Sequence, residues 1–591
     1  MLSSVVLSVS ATVPEYDLEI ISVSQETTSK FGYSDFVFTD KNGEKYKFVS
    51  GDSLNQYRPN ALSNSVTLPV SYNAQEYGYV TSVKNQGCSG SCWSFSTMSA
   101  LESDSIIQGI SDNNIDCSEA HHVWFNERLK TTDISDSTYG DGYSADNPYL
   151  TGGNWITAIR SLAKWSGVAN DNDFAFTPFD LSQMGNYAET ERYNKNSGIV
   201  LKSAECLLDT NDVKQWIMQH GSTTATLYFD GSYLYNKEAY YYNGTEGLNH
   251  QIVIVGWDDA YSFSNFNPAN KPSASGAWLC KNSWGEEFGN NGYFWVSYCD
   301  KVLGNFVGFT SQSADKYRTN YTYNGAGWGA ILANKGSASI ANVFKTKENE
   351  ILSAISTYLI AADEKINISI YTDLPTNYSL PTQGSLAIKF STTIERAGYH
   401  TLDLPSDISL KPNSYFSVVV EFVNPNSTSY VPVEVNGQSE MIFSSRQGQS
   451  FAYLPQYNSS WNKTENFGLN NVCIQAFTKC NHQVETVKIT PPTCTNDGSE
   501  QLICSQCNAV LGNNIVYAGG HNFGEWSEYS YELDGYKTKT RECLSCGYIE
   551  KINEKTSRNG YRVVTLDEFF EILAGWIEDF IIKICEGLKT L

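Results

Sequence analysis

Basic residues and long apolar runs are both scarce in this sequence. Lys and Arg number 40 against 64 Asp and Glu, which gives a formal net charge of −24, and they form no basic run. This balance disfavours a protein that tracks nucleic-acid phosphates. No uninterrupted apolar stretch approaches the ~20 residues that a membrane-spanning helix needs. The sequence therefore predicts neither nucleic-acid binding nor a transmembrane span.

Cysteines are few, and they are unevenly spread along the chain. Fourteen cysteines in 591 residues are far fewer than a disulfide-stabilised scaffold carries. Seven of them lie between Cys473 and Cys546. We therefore treat that segment as a local cysteine-dependent module and judge the earlier cysteines one by one.

Apolar and aromatic side chains are plentiful, at 41% and 13% of the sequence. Such a chain can bury enough apolar surface to fold, which excludes global disorder. Its length is sufficient for about three to five domains.

The first 312 residues divide into three segments. Residues 1–11 are apolar with small side chains and are predicted to be a signal-peptide remnant, an ordinary buried strand being the alternative. Residues 12–66 are polar with short alternating stretches, and we interpret them as an N-terminal arm or short pro-segment. Residues 67–312 mix helical periodicity (CWSFSTMSALESDSII, NWITAIRSLAKW) with strand patterns (HQIVIVGW, GYFWVSY), which predicts an α+β domain.

Residues 313–480 show no helical pattern. Ile366, Ile368 and Ile370 alternate with polar residues, and Asn, Pro and Gly separate the apolar runs. This pattern is typical of an antiparallel β-sandwich.

Three motifs in the α+β segment occur in one order. QGCSGSCWSF begins at Gln86, LNHQIVIVGW begins at Leu248, and WLCKNSWG begins at Trp278. Together they resemble the papain family of cysteine peptidases, and the resemblance covers about residues 67–312. It implies a papain-like domain with a helical half and a β-barrel-like half.

The resemblance implies roles for four residues. Cys92 is the expected nucleophile, because a thiolate attacks carbonyl carbon and a helix N-terminus favours an anion. His250 is the expected general acid and base, and Asn282 is expected to orient its ring. The Gln86 side chain and the Cys92 backbone N–H are expected to form the oxyanion hole. The implied reaction passes through a thioester acyl-enzyme and needs no cofactor.

The family resemblance also places residues in the substrate cleft. A glycine pair would allow an extended peptide to approach the backbone, an ordinary loop being the alternative, and apolar side chains would line the main pocket. These residues are Gly152, Gly153, Ala225, Leu248 and Trp284. Ser89 stands where the family usually has a disulfide-forming cysteine and Cys88 lies one residue earlier, so the pairing of Cys88 stays open.

Residues 313–480 resemble the lectin-like β domain that follows the peptidase domain in some bacterial and archaeal members of the family. Fold does not imply function. Contact with glycans or the cell wall and a plain packing or substrate-presenting role therefore both stay open.

A repeat occupies residues 481–555. A histidine is followed 22 residues later by a Cys-x2-Cys pair, at His482, Cys504 and Cys507 and again at His521, Cys543 and Cys546. The repeats resemble zinc ribbons, because thiolate and imidazole suit tetrahedral zinc.

The fourth ligand of each repeat is less evident. Cys494 is expected to complete a Cys3His site in the first repeat, with Cys480 as a competitor. The second repeat has no equivalent cysteine, so its site is expected to be incomplete or to borrow a ligand. Disulfides are the alternative in an exported chain.

Residues 556–591 are predicted to form one amphipathic helix. A capping box is present at Thr565 and Glu568. The apolar stripe is expected to dock on a partner surface or to self-associate, membrane binding being the alternative.

These features together predict a secreted or cell-surface papain-like cysteine endopeptidase that acts on proteins or peptides. The alternative is a surface adhesion or scaffold protein whose peptidase-like domain is incidental.

Overall fold

The structure of the chain is a computed structural model that describes residues 18–27, 34–47, 67–126, 147–323, 329–435, 445–482, 484–505, 507–532, 535–556 and 564–588. The chain divides into two compact units, Met1–Asn481 and His482–Leu591. The predicted signal-peptide remnant, residues 1–11, lies outside the described residues.

The described residues of the first part of the first unit form four α-helices and twelve strands, besides short 3-10 helices. In chain order these are β1 Glu19–Thr27, β2 Ser34–Thr39, β3 Lys45–Lys47, β4 Ser71–Asn73, α1 Cys92–Ile107, α2 Glu119–Asn126, α3 Trp155–Ala163, β5 Ile199–Cys206, α4 Thr210–His220, β6 Thr223–Leu227, β7 Leu234–Tyr235, β8 Ala239–Tyr240, β9 His250–Asp258, β10 Ala277–Lys281, β11 Tyr293–Ser297 and β12 Gly304–Ser313. The helices and strands predicted from the four sequence patterns are confirmed as α1, α3, β9 and β11.

The described residues of the second part of this unit form strands and one short 3-10 helix, Thr464–Phe467. The strands are β13 Thr319–Thr322, β14 Ala330–Lys335, β15 Ala338–Lys345, β16 Glu350–Leu359, β17 Glu364–Leu374, β18 Ser385–Ile394, β19 Gly398–Leu410, β20 Tyr415–Phe422, β21 Thr428–Val433, β22 Ser450–Tyr453, β23 Asn462–Lys463 and β24 Ile474–Cys480. Ile366, Ile368 and Ile370 on β17 are all fully buried. The predicted inward face and the all-β sandwich are confirmed.

One long sheet joins the two parts of the first unit. Its order is β13-β24-β16-β19-β5-β12-β6-β9-β10-β11-β8-β7, with β4 beside β9. The junction is the antiparallel pairing of β19 with β5, where Gly398 faces Glu205. A Cβ on Gly398 would lie 2.0 Å from the Ala204 carbonyl oxygen, so this close approach requires glycine. Six other strands of the second part form a second sheet, β18-β17-β20-β15-β22-β23.

The N-terminal arm adds strands to a third sheet. Its order is β21-β14-β1-β2-β3, so β1 lies between β14 and β2. Val23 and Phe38 are buried in one core cluster with Met98 and Leu101 of α1. The described strands of the arm therefore belong to the core of the first unit.

The residues described for the second unit form two three-stranded antiparallel sheets and one helix. The strands are β25 Val484–Thr490, β26 Gly498–Cys504, β27 Val510–Val516, β28 Ser530–Tyr531, β29 Tyr536–Glu542 and β30 Ile549–Lys555, and the helix is α5 Leu566–Leu588. The Thr565 N–H donates to Glu568 Oε2 at 3.2 Å, and the Glu568 N–H donates to Thr565 Oγ1 at 3.3 Å. The predicted capping box is thereby confirmed. Apolar side chains of α5 such as Trp576 and Phe580 are exposed.

Candidate active site

Cys92 is the first residue of α1 and is fully buried. The helix is buried on all sides through Ser105, so its residues pack in the domain interior. Burial raises the pKa of the Cys92 thiol to about 12, while the backbone N–H groups of Gln251 and Trp93 oppose that shift. The Gln251 contact places the sulfur beside the residue that follows His250 on β9.

His250 and Asn282 are joined by a hydrogen bond, in which His250 Nε2 donates to Asn282 Oδ1 at 2.8 Å. The indole of Trp284 stacks on the imidazole with ring centroids 4.5 Å apart and planes inclined by 19°. The Asn282 N–H donates to the Gly292 carbonyl at 3.0 Å. The Ser283 N–H donates to Asn282 Oδ1 at 2.8 Å. Hydrogen bonds therefore orient both the backbone and the side chain of Asn282.

Burial also governs the charge of the histidine. It lowers the pKa of His250 to about 4, although the Asn282 hydrogen bond acts in the opposite direction. In this arrangement the thiol and the imidazole are both neutral at neutral pH. The thiolate expected from the helix N-terminus is therefore not favoured by the environment of Cys92 alone, because desolvation outweighs the backbone N–H groups.

The Gln86 side chain is held at both of its polar atoms. Its Nε2 donates to the Ser89 carbonyl at 2.9 Å, and its Oε1 accepts from Ser283 Oγ at 2.6 Å. The Gln86 N–H also donates to the Ser283 carbonyl at 2.8 Å. Gln86 is therefore tied to the segment that follows Asn282.

Sequence comparisons divide the first unit in the same way as its secondary structure. Residues 68–314 match the family described as "Papain family cysteine protease", and residues 320–478 match the family described as "Lectin like domain". Residues 68–314 form a papain-family cysteine protease domain.

Two curated plant proteins are similar to this domain. They are "Probable cysteine protease RD19D" of Arabidopsis thaliana, 27% identical over 230 residues, and "Cysteine proteinase 1" of Zea mays, 28% identical over 239 residues. Each alignment covers 38% of this chain and 56% of the relative. The chain thus spans just over half the length of these relatives.

A solved structure extends the similarity across both domains. It contains the cysteine protease and lectin-like domains of Cwp84, a surface layer associated protein of Clostridium difficile. The sequences are 26% identical and the TM-score is 0.60, with 71% of this chain and 91% of that chain covered. A papain-like domain followed by a lectin-like domain is therefore the architecture of the first unit.

The structure gives a packing reason for one glycine of the predicted substrate pair in the papain-family domain. A Cβ on Gly153 would lie 2.6 Å from ring atoms of Trp93, which directly follows Cys92. Gly152 is buried beside it. Gly153 therefore permits the close packing of Trp93, and a role for the pair in binding peptide remains a prediction.

The predicted pocket residues Ala225 and Leu248 are in the same apolar cluster as Cys92. Ala225 is fully buried and Leu248 is 2% exposed. On β6, Ala225 faces Ile252 of β9, two residues after the histidine. These side chains therefore lie in the same cluster as Cys92, and their contact with substrate stays a prediction.

Sequence reasoning missed a buried ionic network beneath the site. Lys84 Nζ lies 3.4 Å from Glu102 Oε1 and 3.0 Å from Glu119 Oε1. Lys281 Nζ donates to Thr81 Oγ1 at 3.2 Å, and Thr81 donates in turn to Glu102. Burial lowers the pKa of Lys281 to about 8.

This network links the segment leading to Gln86, helix α1 and the strand leading to Asn282. The sequence carried two indications of it. Glu102 interrupts the small and apolar residues of α1, and Lys281 directly precedes Asn282 within a buried strand. A charge in a buried pattern normally has a partner.

Cys88, whose pairing the sequence left open, is an exposed free thiol. Its Sγ lies 3.6 Å from the Pro178 carbonyl oxygen. Cys280 is fully buried. Among the described residues no helix is long and apolar enough to span a membrane.

The Cys-rich module brings together a ligand set that differs from the expected one. Cys494 was expected to complete the first repeat, but its Sγ lies 3.6 Å from Cys543 Sγ in the second. The potential ligand atoms of Cys494, His521, Cys543 and Cys546 all lie within 4.8 Å of one another. The expected assignment of Cys494 was therefore wrong, because the turn that carries it lies against the second Cys-x2-Cys pair.

Proposed function

We propose that this protein is an exported papain-like cysteine endopeptidase with Cys92, His250, Asn282 and Gln86 as its catalytic residues. The observation that carries the proposal is the 2.8 Å bond from His250 Nε2 to Asn282 Oδ1. The Trp284 ring covers this bond. Gln251, which follows His250 on β9, contacts the thiol of Cys92 at the start of α1.

The tautomer of His250 determines the direction of proton transfer. Because Nε2 donates to Asn282, Nδ1 is the basic atom of the neutral ring. It accepts the Cys92 proton, and the imidazolium and thiolate so formed stabilise each other, which offsets the desolvation of each. The thiolate then attacks the peptide carbonyl carbon, and the negative charge passes to the carbonyl oxygen. His250 returns the proton to the leaving amine, and a thioester remains until water hydrolyses it with His250 as base.

Gln86 and the Cys92 backbone N–H are proposed to bind the oxyanion. One Nε2 proton of Gln86 is engaged by the Ser89 carbonyl, and the other is directed to the carbonyl oxygen of the substrate as it gains charge. Gly152, Gly153, Ala225, Leu248 and Trp284 are proposed to contact the peptide.

The location and substrates follow from the two-domain architecture. Cwp84 is a surface layer associated protein, which supports secretion or surface attachment for this chain. Protein substrates, with glycan contact through the lectin-like domain, suit that location. The exposed apolar side chains of α5 are proposed to dock on a partner or on a second copy.

The Cys-rich module, residues 481–555, is proposed to hold structural zinc. Thiolate and imidazole ligands in tetrahedral sets are typical of such sites. With Cys494 beside Cys543, Cys480 is the remaining sequence candidate for the first repeat; it ends β24 two residues before His482. Catalysis itself is proposed to need no cofactor.

The test compares Cys92→Ser with Cys88→Ser. Cys92→Ser should abolish thiol-dependent hydrolysis of a mixed peptide library and labelling by a thiol-directed epoxide, because the hydroxyl is not ionised by the imidazole. Cys88→Ser removes an exposed thiol four residues away and should retain both. An unmodified protein that shows neither hydrolysis nor labelling would favour the adhesion or scaffold alternative.

A further inference from the structure

The two Cys-x2-Cys pairs of the second unit are each followed by an equivalent backbone hydrogen bond. The Asn508 N–H donates to the Cys504 carbonyl at 2.8 Å, and the Gly547 N–H donates to the Cys543 carbonyl at 2.9 Å. Asn508 and Gly547 both adopt positive φ, 59° and 73°. The residue after each pair therefore has the same kind of conformation and bond in the two repeats.

Each turn also has its own histidine. Cys507 Sγ lies 3.3 Å from His482 Nδ1, and Cys546 Sγ lies 3.3 Å from His521 Nδ1. The His521 ring stacks on Tyr548 with centroids 4.6 Å apart. Each repeat thus supplies two thiols and one imidazole, and a tetrahedral site needs one more ligand.

For the second repeat, the fourth ligand comes from the first three-stranded sheet. Cys494 lies in the turn between β25 and β26, where the Asn496 N–H donates to Thr493 Oγ1 at 2.8 Å. The Ala518 N–H donates to Asp497 Oδ1 at 2.6 Å. This bond fixes the turn against the segment that leads to His521.

The distances in this set suit a metal ion. Zinc bonds of ~2.3 Å to sulfur and ~2.0 Å to nitrogen give tetrahedral edges of about 3.8 Å between two sulfurs and about 3.5 Å between sulfur and nitrogen. The observed edges are 3.6 Å from Cys494 Sγ to Cys543 Sγ and 3.3 Å from Cys546 Sγ to His521 Nδ1. A disulfide would instead need about 2.05 Å.

Little else stabilises this unit. Among its described residues, the buried side chains are those of Cys504, Cys543 and Thr538. Apolar side chains such as Ile489 and Ile515 are 63% and 59% exposed. A module with so small a core depends on cross-links for its folding.

We propose that Cys494, His521, Cys543 and Cys546 bind one zinc ion that cross-links the two three-stranded sheets of the module. This inference rests on the proposal that the module holds zinc, and it adds that the repeats share a ligand. The sheets are therefore expected to fold as one unit, since removing Cys494 from the first sheet opens the site in the second.

The test measures zinc retained per chain after dialysis against a competing chelator. All proteins are full-length and carry Cys92→Ser to prevent self-digestion. The unmodified module and the Cys585→Ala control should retain two zinc ions, and Cys494→Ala should retain one. Adding His521→Ala to Cys494→Ala should still leave one, because both changes affect the same site. Adding His482→Ala instead should leave none.

The inference would be overturned if the double variant with His521→Ala retained no zinc and the double variant with His482→Ala retained one ion. That result would assign Cys494 to the first repeat. Two ions retained by Cys494→Ala would overturn the inference as well, while leaving the zinc proposal intact. An unmodified module without zinc, and with its cysteines oxidised in pairs, would refute the zinc proposal and this inference together.

Discussion

Replacing Gln86 by alanine tests the proposed oxyanion hole separately from the proposed nucleophile, Cys92. Gln86 is 1% exposed, and its amide plane is fixed by the Ser89 carbonyl and the Ser283 hydroxyl. A donor fixed before the reaction contributes about 2.7–4 kcal/mol to the transition state, so Gln86→Ala should lower kcat by about 10²–10³.

Ser283→Ala is the matched control for this change. It retains the Gln86 donor and removes only the 2.6 Å bond to Oε1. A neutral hydrogen bond contributes a net ~0.5–1.5 kcal/mol. The loss in kcat should therefore stay within about tenfold.

The assay measures two rates for each variant: kcat for peptide hydrolysis and the second-order rate of Cys92 alkylation by iodoacetamide. Alkylation forms no oxyanion, so Gln86→Ala should leave it nearly unchanged while kcat falls. Equal losses in both rates would refute the reasoning and assign Gln86 a structural role. So would a larger kcat loss in Ser283→Ala than in Gln86→Ala.

Two further predictions concern packing and charge around the site. Glu102→Gln should destabilise the first unit by about 3–5 kcal/mol in a denaturant titration, because it removes a charge from the buried ionic network that includes Lys84. An unchanged midpoint would show that the other partners of Lys84 fully compensate its charge. Gly153→Ala should cost about 1–3 kcal/mol of stability, because its Cβ displaces Trp93. In the control Gly231→Ala the added Cβ meets nothing within 4 Å, so the stability should be nearly unchanged. A raised KM without lost stability in Gly153→Ala would instead favour a peptide-binding role for Gly153.

The sequence by itself determined the elements that carry the ordered motifs of the papain-family domain. The apolar pattern after Cys92 predicts α1, and the run HQIVIVGW predicts β9, because the period of burial depends on local geometry. The order of the motifs containing Cys92, His250 and Asn282 indicated the protease domain. The same holds for the alternating isoleucines of β17, which all face the core.

The tertiary structure decided which distant groups meet. Glu102 and Lys281 are far apart in sequence. The packing of α1 against the long sheet that contains β9 and β10 brings them into one network with Thr81. The balance of burial and hydrogen bonding that keeps Cys92 and His250 neutral likewise depends on the complete fold.

Cys494 shows this division most clearly. Cys494 is close to Cys504 along the chain, so the sequence predicts that both belong to the site of the first repeat. A sequence gives separations along the chain and no distances in space. In the structure, the turn after β25 is fixed to Ala518 through Asp497, and Cys494 therefore lies beside Cys543. The sequence identified the candidate ligands, and the fold determined which of them lie together, because a metal site depends on distances in space rather than along the chain.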